Sequence, residues 1–123
     1  MIKDKSMKKL LLLAVATTFS VGAWASPTCD KLAKIADLNA SNYGDEATAL
    51  IQGKKGARVY FHTAPSAQCK SKAFIIPNDK VAILQDIVSN NETWAYVSFV
   101  NNKTSKNTQG WIKKNSLGEM TFN

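Results

Sequence analysis

From Glu46 onward, short segments of β-branched, aromatic and aliphatic residues are separated by turn-forming residues about every ten positions. In ARVYFHT and WAYVSFV the residues of two faces alternate, so each of these strands can turn one face to a core and the other outward. Strands at this spacing predict antiparallel pairing in a small barrel or sandwich. The first two segments, which flank GKKG, are predicted to form a hairpin. The segments are EATALIQ, ARVYFHT, AFII, KVAILQDIV, WAYVSFV and GWI.

Residues 1–25 have the three parts of a secretory signal peptide. Four lysines lie among the first nine residues, an apolar run covers residues 10–16, and Ala23-Trp24-Ala25 provides a small-x-small cleavage site. The apolar run is shorter than the roughly 20 residues that a membrane-spanning helix needs. We therefore predict cleavage after Ala25, export to the periplasm or out of the cell, and no membrane span in the mature chain.

The predicted mature chain is only mildly basic. Removing residues 1–25 leaves 98 of the 123 residues, with 12 basic and 8 acidic ones, so the formal net charge falls from +7 to +4. Such a surface suits an anionic cell envelope or an acidic partner. The mature chain has no dense stripe of lysine and arginine, and an exported protein is in the wrong compartment for nucleic acid. We therefore expect no nucleic-acid partner.

A short helix is predicted ahead of the strands. Ser26-Pro27-Thr28 offers a helix start, and Asp30 in the first turn suits the positive end of the helix dipole. Apolar residues then follow helical spacing from about residue 29 to 38, and NASNYGD follows as a run of turn formers. The expected organisation is a signal peptide over 1–25, a helix and turn over 26–45, and a β-barrel domain over 46–123.

Two cysteines, Cys29 and Cys69, remain in the mature chain. An even count in an exported chain predicts a disulfide between them. The bond would close a loop of about 40 residues, worth about 4 kcal/mol. The alternative is a catalytic cysteine assisted by His62, the only histidine, but such a nucleophile also needs an orienting group. These residues lack metal-ligand spacing, and we expect no enzyme activity, no cofactor and no metal site.

Four stretches resemble, in order, the motifs of bacterial SH3 domains. VYFHTAPS at 59–66 resembles the signature near the start of the family, and IIPNDKVAILQ resembles its strand, turn and V-x-V-L strand. ETWAYVSFV resembles the Gly-Trp-x-x-Val strand, and QGWIKKNSL the closing GWV segment. The resemblance covers about Glu46 to Leu117. The sequence departs from the family at Ala64, where glycine is usual, and at His62, where arginine is common. The cysteines and the N-terminal helix are additions.

The resemblance implies a mainly β fold, a small SH3-like antiparallel barrel preceded by a short N-terminal α-helix. Since Phe61, Val97 and Phe99 account for the core face of their strands, alternation places their neighbours on the opposite face, where a ligand could bind. For Trp111, packing over one open end of the barrel is the competing interpretation, with Gly110 permitting the bend into the last strand. The candidate ligand-binding residues are Tyr60, His62, Trp94, Tyr96 and Trp111.

The resemblance also implies a binding role, because bacterial SH3 domains commonly hold enzymes to peptidoglycan by contacting its peptides. We expect an exported, non-enzymatic module that recognises cell-envelope material, chiefly peptidoglycan peptide. The alternative is a periplasmic inhibitor or immunity-type protein that binds and blocks a toxin or a cell-wall hydrolase. The long polar loop Asn101–Gln109, with Lys103 and Lys106, favours the alternative, since such a loop could enter a partner protein.

Overall fold

The computed structural model describes residues 27–122, so the predicted signal peptide and its cleavage site lie outside the described residues. The described chain is mainly β, with one α-helix, as predicted. The helix α1 spans Pro27–Asn39. The strands are β1 (Ser41–Leu50), β2 (Val59–His62), β3 (Lys70–Ile75), β4 (Lys80–Ser89), β5 (Glu92–Val100), β6 (Asn107–Lys113) and β7 (Thr121–Phe122). Short 3₁₀ turns, Ala67–Cys69 and Lys114–Ser116, precede β3 and follow β6.

All seven strands belong to one antiparallel sheet with the order β3-β2-β6-β5-β4-β1-β7. The sheet is not closed, so β3 and β7 are its end strands. Strands β4, β5 and β6 pair in sequence order, and β4 and β5 are joined by Asn90 and Asn91, both with positive φ (53° and 64°). Asparagine tolerates this backbone region, which the tight hairpin turn requires. The residues SNNE therefore form a tight turn between β4 and β5.

Strand β1 begins earlier than predicted, at Ser41. The turn-forming residues of NASNYGD are accommodated in the strand because its pairing with β4 is irregular. Asn42 pairs with Gln85 and Ala47 with Ile83, so the residues between Asn42 and Ala47 bulge out of register. The turn-forming residues of NASNYGD therefore mark a bulge within β1 and not a turn that precedes the strand.

The predicted hairpin between EATALIQ and ARVYFHT is wrong. Strand β1 pairs with β4 and β7, whereas β2 pairs with β3 and β6. The intervening glycines do form a turn, since Gly53 and Gly56 have φ of 146° and 91°, values that favour glycine. The turn directs the chain to a different part of the sheet, because β4 occupies one side of β1 and β7 the other.

The main core lies on one face of the sheet, where the alternating residues of the strands meet. Ala95 and Val97 of β5 and Phe61 of β2 are buried there, and Phe99 packs against them. This confirms the predicted core face of both strands. Other members of the core are Ala47, Ala49, Ile51, Ile75, Val81, Ile83, Ile112 and Leu117.

Gly110 lies inside β6, and its role differs from the predicted bend. A Cβ built on Gly110 would lie 3.0 Å from Phe61 Cβ and 3.1 Å from the carbonyl oxygen of His62. Strand β2 thus lies so close to Gly110 that a side chain there would require β2 to move by a few tenths of an ångström. The absent Cβ is needed for close packing between β6 and β2.

We expect Gly110→Ala to lower the free energy of unfolding by about 1–3 kcal/mol, since the new methyl group meets backbone and a buried ring that have little room to move. Urea unfolding followed by tryptophan fluorescence measures the change. Lys113→Ala on the same strand is the control, because Lys113 is exposed and its ion pair with Glu92 (3.3 Å) is worth at most about 1 kcal/mol. Equal stability of Gly110→Ala and wild type would contradict the packing argument.

Candidate functional site

The face of the sheet opposite the main core, here called the outer face, carries the five predicted ligand-binding residues. In the register, His62 of β2 pairs with Trp111 of β6, and Trp111 pairs with Tyr96 of β5. Trp94 lies next to His62, with their ring centroids 4.9 Å apart. Alternation along β2, β5 and β6 thus places Tyr60, His62, Trp94, Tyr96 and Trp111 on one face.

Two of these residues are not available to a ligand. Trp94 is 2% exposed and Trp111 is 3% exposed, and both pack against Ala36 of helix α1. Trp94 lies on the face predicted to bind a ligand, but it is buried and not open to one, because the helix covers this end of the outer face. For Trp111 the packing interpretation holds, although its cover is the helix. The two tryptophans form a second, smaller core together with Ala36.

A disulfide holds the helix in this position. Cys29 in the first turn of α1 is bonded to Cys69 at the end of the 3₁₀ turn before β3, which confirms the predicted pairing. Both cysteines and Ala64 are buried, and Leu32 and Ala33 of the helix pack against them. The bond therefore fixes the start of α1 to the edge of the sheet, and the helix then crosses the tryptophans.

His62 is held by its neighbours in one tautomer. Its Nδ1–H donates to the carbonyl oxygens of Tyr60 (3.0 Å) and Trp111 (3.2 Å). Burial lowers the pKa of His62 from its ordinary value of 6.5, although the two backbone hydrogen bonds oppose the shift and the charges of Lys113 and Lys70 assist it. The ring is thus neutral at neutral pH. Because both cysteines are oxidised, His62 has no thiol to activate.

The lowered pKa of His62 gives a stability that depends on pH. The unfolded chain binds a proton at His62 before the folded chain does, so this stability is fully present above pH 6.5 and is lost as the pH falls through the folded-state pKa. We expect the urea midpoint to fall between about pH 7.5 and about pH 5. His62→Asn keeps a donor near Nδ1 and removes the titration, so its midpoint should change less over the same range. Parallel curves for the two proteins would contradict this assignment.

A small cleft of about 340 Å³, here called the tyrosine cleft, is lined by outer-face residues such as Tyr96 together with the core residue Phe61. The ring of Tyr96 lies edge-on to Trp111 at 5.2 Å, and its hydroxyl donates to Gln109 Oε1 at 3.3 Å. Tyr96 is half-buried and Gln109 is exposed. The cleft therefore combines one aromatic wall with amide and hydroxyl groups. Its polar and aromatic lining residues are Phe61, His62, Thr63, Ser71, Tyr96, Thr108 and Gln109.

A row in which charged side chains alternate with aromatic rings lies along the neighbouring strands β2 and β3, with Arg58 just before β2. Lys70 Nζ is 4.5 Å from the centroid of the Tyr60 ring, and Tyr60 packs against Phe74 at 5.6 Å. The guanidinium of Arg58 lies 4.5 Å from the centroid of Phe74. We call these four residues the cation–aromatic row. Its two cations are exposed and offer a carboxylate a positive surface next to flat apolar rings.

The predicted loop Asn101–Gln109 is shorter in the structure, because Asn107–Gln109 belong to β6. The remaining six residues are ordered by Asn101, whose side-chain oxygen accepts from the backbone N–H of Lys103 (2.9 Å) and Thr104 (3.3 Å). Lys103 and Lys106 are exposed on this loop, and neither lines the tyrosine cleft. The structure therefore separates the predicted partner loop from the predicted aromatic site.

A polar cluster that no sequence motif indicated joins β1, β4 and the 3₁₀ turn after β6. Tyr43 donates to Asp86 Oδ2 (2.6 Å), and Lys114 Nζ donates to the same oxygen (2.7 Å). Burial alone would raise the pKa of Asp86, but the hydrogen bonds from Lys114 and Tyr43 outweigh it and hold the pKa below its ordinary value. The hydrogen bond to Asp86 raises the pKa of Lys114. These hydrogen bonds hold β1, β4 and the 3₁₀ turn after β6 together.

Within residues 27–122 no group of three or more acidic, histidine or cysteine side chains could hold a metal ion. No helix in the same part of the chain is long and apolar enough to cross a membrane. In comparisons with known proteins, no family model, no curated protein and no solved structure matches the chain.

Proposed function

We propose that this chain is an exported, non-enzymatic binding module with an SH3-like barrel, and that it recognises cell-envelope material in the form of peptidoglycan peptide. One observation carries the proposal. No residue of helix α1 lines the tyrosine cleft, and together with the cation–aromatic row the cleft offers aromatic, amide and cationic groups where a ligand has access.

The barrel proposal is supported by where the SH3-type motifs fall. The four stretches that resemble bacterial SH3 motifs fall on β2, β4, β5 and β6. Strands β4, β5 and β6 pair in sequence order. Strand β7 returns to pair with β1, so the first and the last of the described strands lie side by side. A curled sheet of this kind would bring β3 and β7 toward each other, as in an open barrel.

The ligand proposal is supported by the chemistry of the open face. Peptidoglycan peptides carry free carboxylates, amide groups and short aliphatic side chains. Lys70 could pair with a carboxylate, Gln109 with an amide, and the rings of Tyr60 and Tyr96 could cover aliphatic groups. Because Trp94 and Trp111 are covered, the two tyrosines take the place of the aromatic contacts expected from the sequence.

Sedimentation with purified peptidoglycan sacculi tests the proposal. We expect Tyr96→Ala and Tyr60→Ala each to weaken binding about tenfold, since truncating an aromatic anchor at an interface costs on this order. Phe122→Ala is the matched control, because Phe122 is an exposed aromatic residue on β7, outside the cleft. Circular dichroism establishes that each variant is folded. Wild-type protein that stays in the supernatant, or variants that all sediment equally, would contradict the proposal.

A second candidate function, an inhibitor or immunity-type protein, is favoured by a separate observation. The loop Asn101–Lys106 borders a groove in which exposed apolar residues meet unpaired lysines. Such a surface fits a segment of a partner protein.

A further inference from the structure

A groove of about 840 Å³ lies between the end of β3, the start of β4, the end of β5 and the loop that follows β5. Phe99 and Ile75 line it from the core side, where Ile75 is buried and Phe99 is half-buried. Phe74, Ile76 and Val100 also line it and are 41%, 47% and 51% exposed. The groove thus places three accessible apolar side chains around an apolar floor, which is the usual composition of a site for apolar anchors.

The charge around this groove is mainly positive. Lys80 and Lys103 line it and are exposed, and no carboxylate pairs with either within residues 27–122. Arg58 lies over the ring of Phe74 at one end. Asp79 also lines the groove, and its Oδ2 accepts from the backbone N–H of Ile76 at 3.0 Å, so its single negative charge is outweighed by the two lysines. An occupant with acidic side chains would therefore complement the rim.

The strand beside the groove can accept another strand. Among the described strands, β3 pairs with β2 on one side only and ends the sheet. Lys70 and Lys72 are exposed on this end strand. Lysines at a sheet edge discourage pairing with a neutral or basic strand, but they favour an acidic one. The free edge and the basic residues thus select for the same kind of occupant.

We propose that this groove, together with the free edge of β3, binds an extended segment of a partner protein in which acidic residues alternate with apolar ones. Apolar side chains of the segment pack on Ile76, Phe74 and Val100, and its carboxylates face Lys80 and Lys103. The proposal rests on the second candidate function, that of an inhibitor, and names the surface and the partner chemistry which that function requires. It does not depend on peptidoglycan binding at the tyrosine cleft.

The test uses two short synthetic peptides, one with alternating glutamate and valine and one with lysine in place of glutamate. Each is titrated into the disulfide-bonded protein labelled with nitrogen-15, and amide shifts are followed by NMR. We expect the acidic peptide to shift amides of β3, Ile76 and Lys103, with binding that weakens as salt screens the lysines. We expect the basic peptide to cause no shifts there.

Two variants with matched controls locate the contact. Ile76→Asp and Lys103→Glu should each weaken binding of the acidic peptide about tenfold. Val88→Asp and Lys55→Glu introduce the same changes at exposed positions outside the groove and should leave it unchanged. Equal binding of both peptides, no binding of the acidic one, or shifts centred on Tyr96 would overturn the proposal. Ile76→Asp should still bind sacculi, because Ile76 does not line the tyrosine cleft. Failure of the groove proposal can therefore be distinguished from failure of the peptidoglycan proposal.

Discussion

Replacing Cys29 and Cys69 together by serine should lower the free energy of unfolding by about 4 kcal/mol. The disulfide closes a loop with a sequence separation of 40, so its loss restores a large conformational freedom to the unfolded chain. Because a domain of this size is stabilised by roughly 5–15 kcal/mol in total, the loss is a large fraction. The variant also frees the start of helix α1, which the bond fixes next to Ala64.

Urea unfolding of the oxidised protein, the reduced protein and the double variant measures this effect. The last two should agree, since both lack the same bond. If the helix leaves the sheet, Trp94 and Trp111 become exposed and their fluorescence shifts to longer wavelength before the sheet unfolds. A loss of less than about 1 kcal/mol would show that the loop is already restrained in the unfolded chain.

Trp94→Ala should lower the free energy of unfolding by about 3–5 kcal/mol, as expected for truncating a fully buried tryptophan. Trp94 packs against Ala36 of the helix and its ring meets that of His62, so the substitution leaves a cavity between helix and sheet. Tyr96→Ala on the same face is the comparison. Tyr96 is half-buried and should cost less stability while weakening ligand binding more.

Chemical denaturation measures the loss of stability in each of the two variants. Sedimentation with sacculi then measures the loss of ligand binding in the fraction that remains folded. Loss of binding without loss of stability in Trp94→Ala would contradict the burial of Trp94 under the helix. It would mean that the helix is displaced when ligand binds.

Several parts of the fold could be predicted from the sequence because local patterns determine them. The alternation in WAYVSFV correctly separates Val97 and Phe99 from Trp94 and Tyr96. The two cysteines correctly predict their disulfide. The helix was placed correctly to within a residue or two at each end, since its start and its apolar spacing are both local.

Other parts depend on contacts between distant segments, which local patterns do not contain. Alternation indicates which side chains share a face, but it does not show that helix α1 covers that face. Strand β7 has two residues and becomes a strand only by pairing with β1. The cluster of Tyr43, Asp86 and Lys114 joins residues 28 to 71 positions apart and leaves no motif. The open groove likewise exists only because the ends of β3 and β5, which are distant in sequence, line it together.

An NMR titration of the nitrogen-15-labelled, disulfide-bonded protein with a soluble peptidoglycan stem peptide tests the central claim most directly. The claim is that the part of the outer face left open by helix α1 binds this peptide. We expect saturable shifts of the amides of Tyr60, Tyr96 and Gln109, with Ile76 and Lys103 unaffected. No shifts at saturating peptide, or shifts confined to the groove around Ile76 and Lys103, would contradict it.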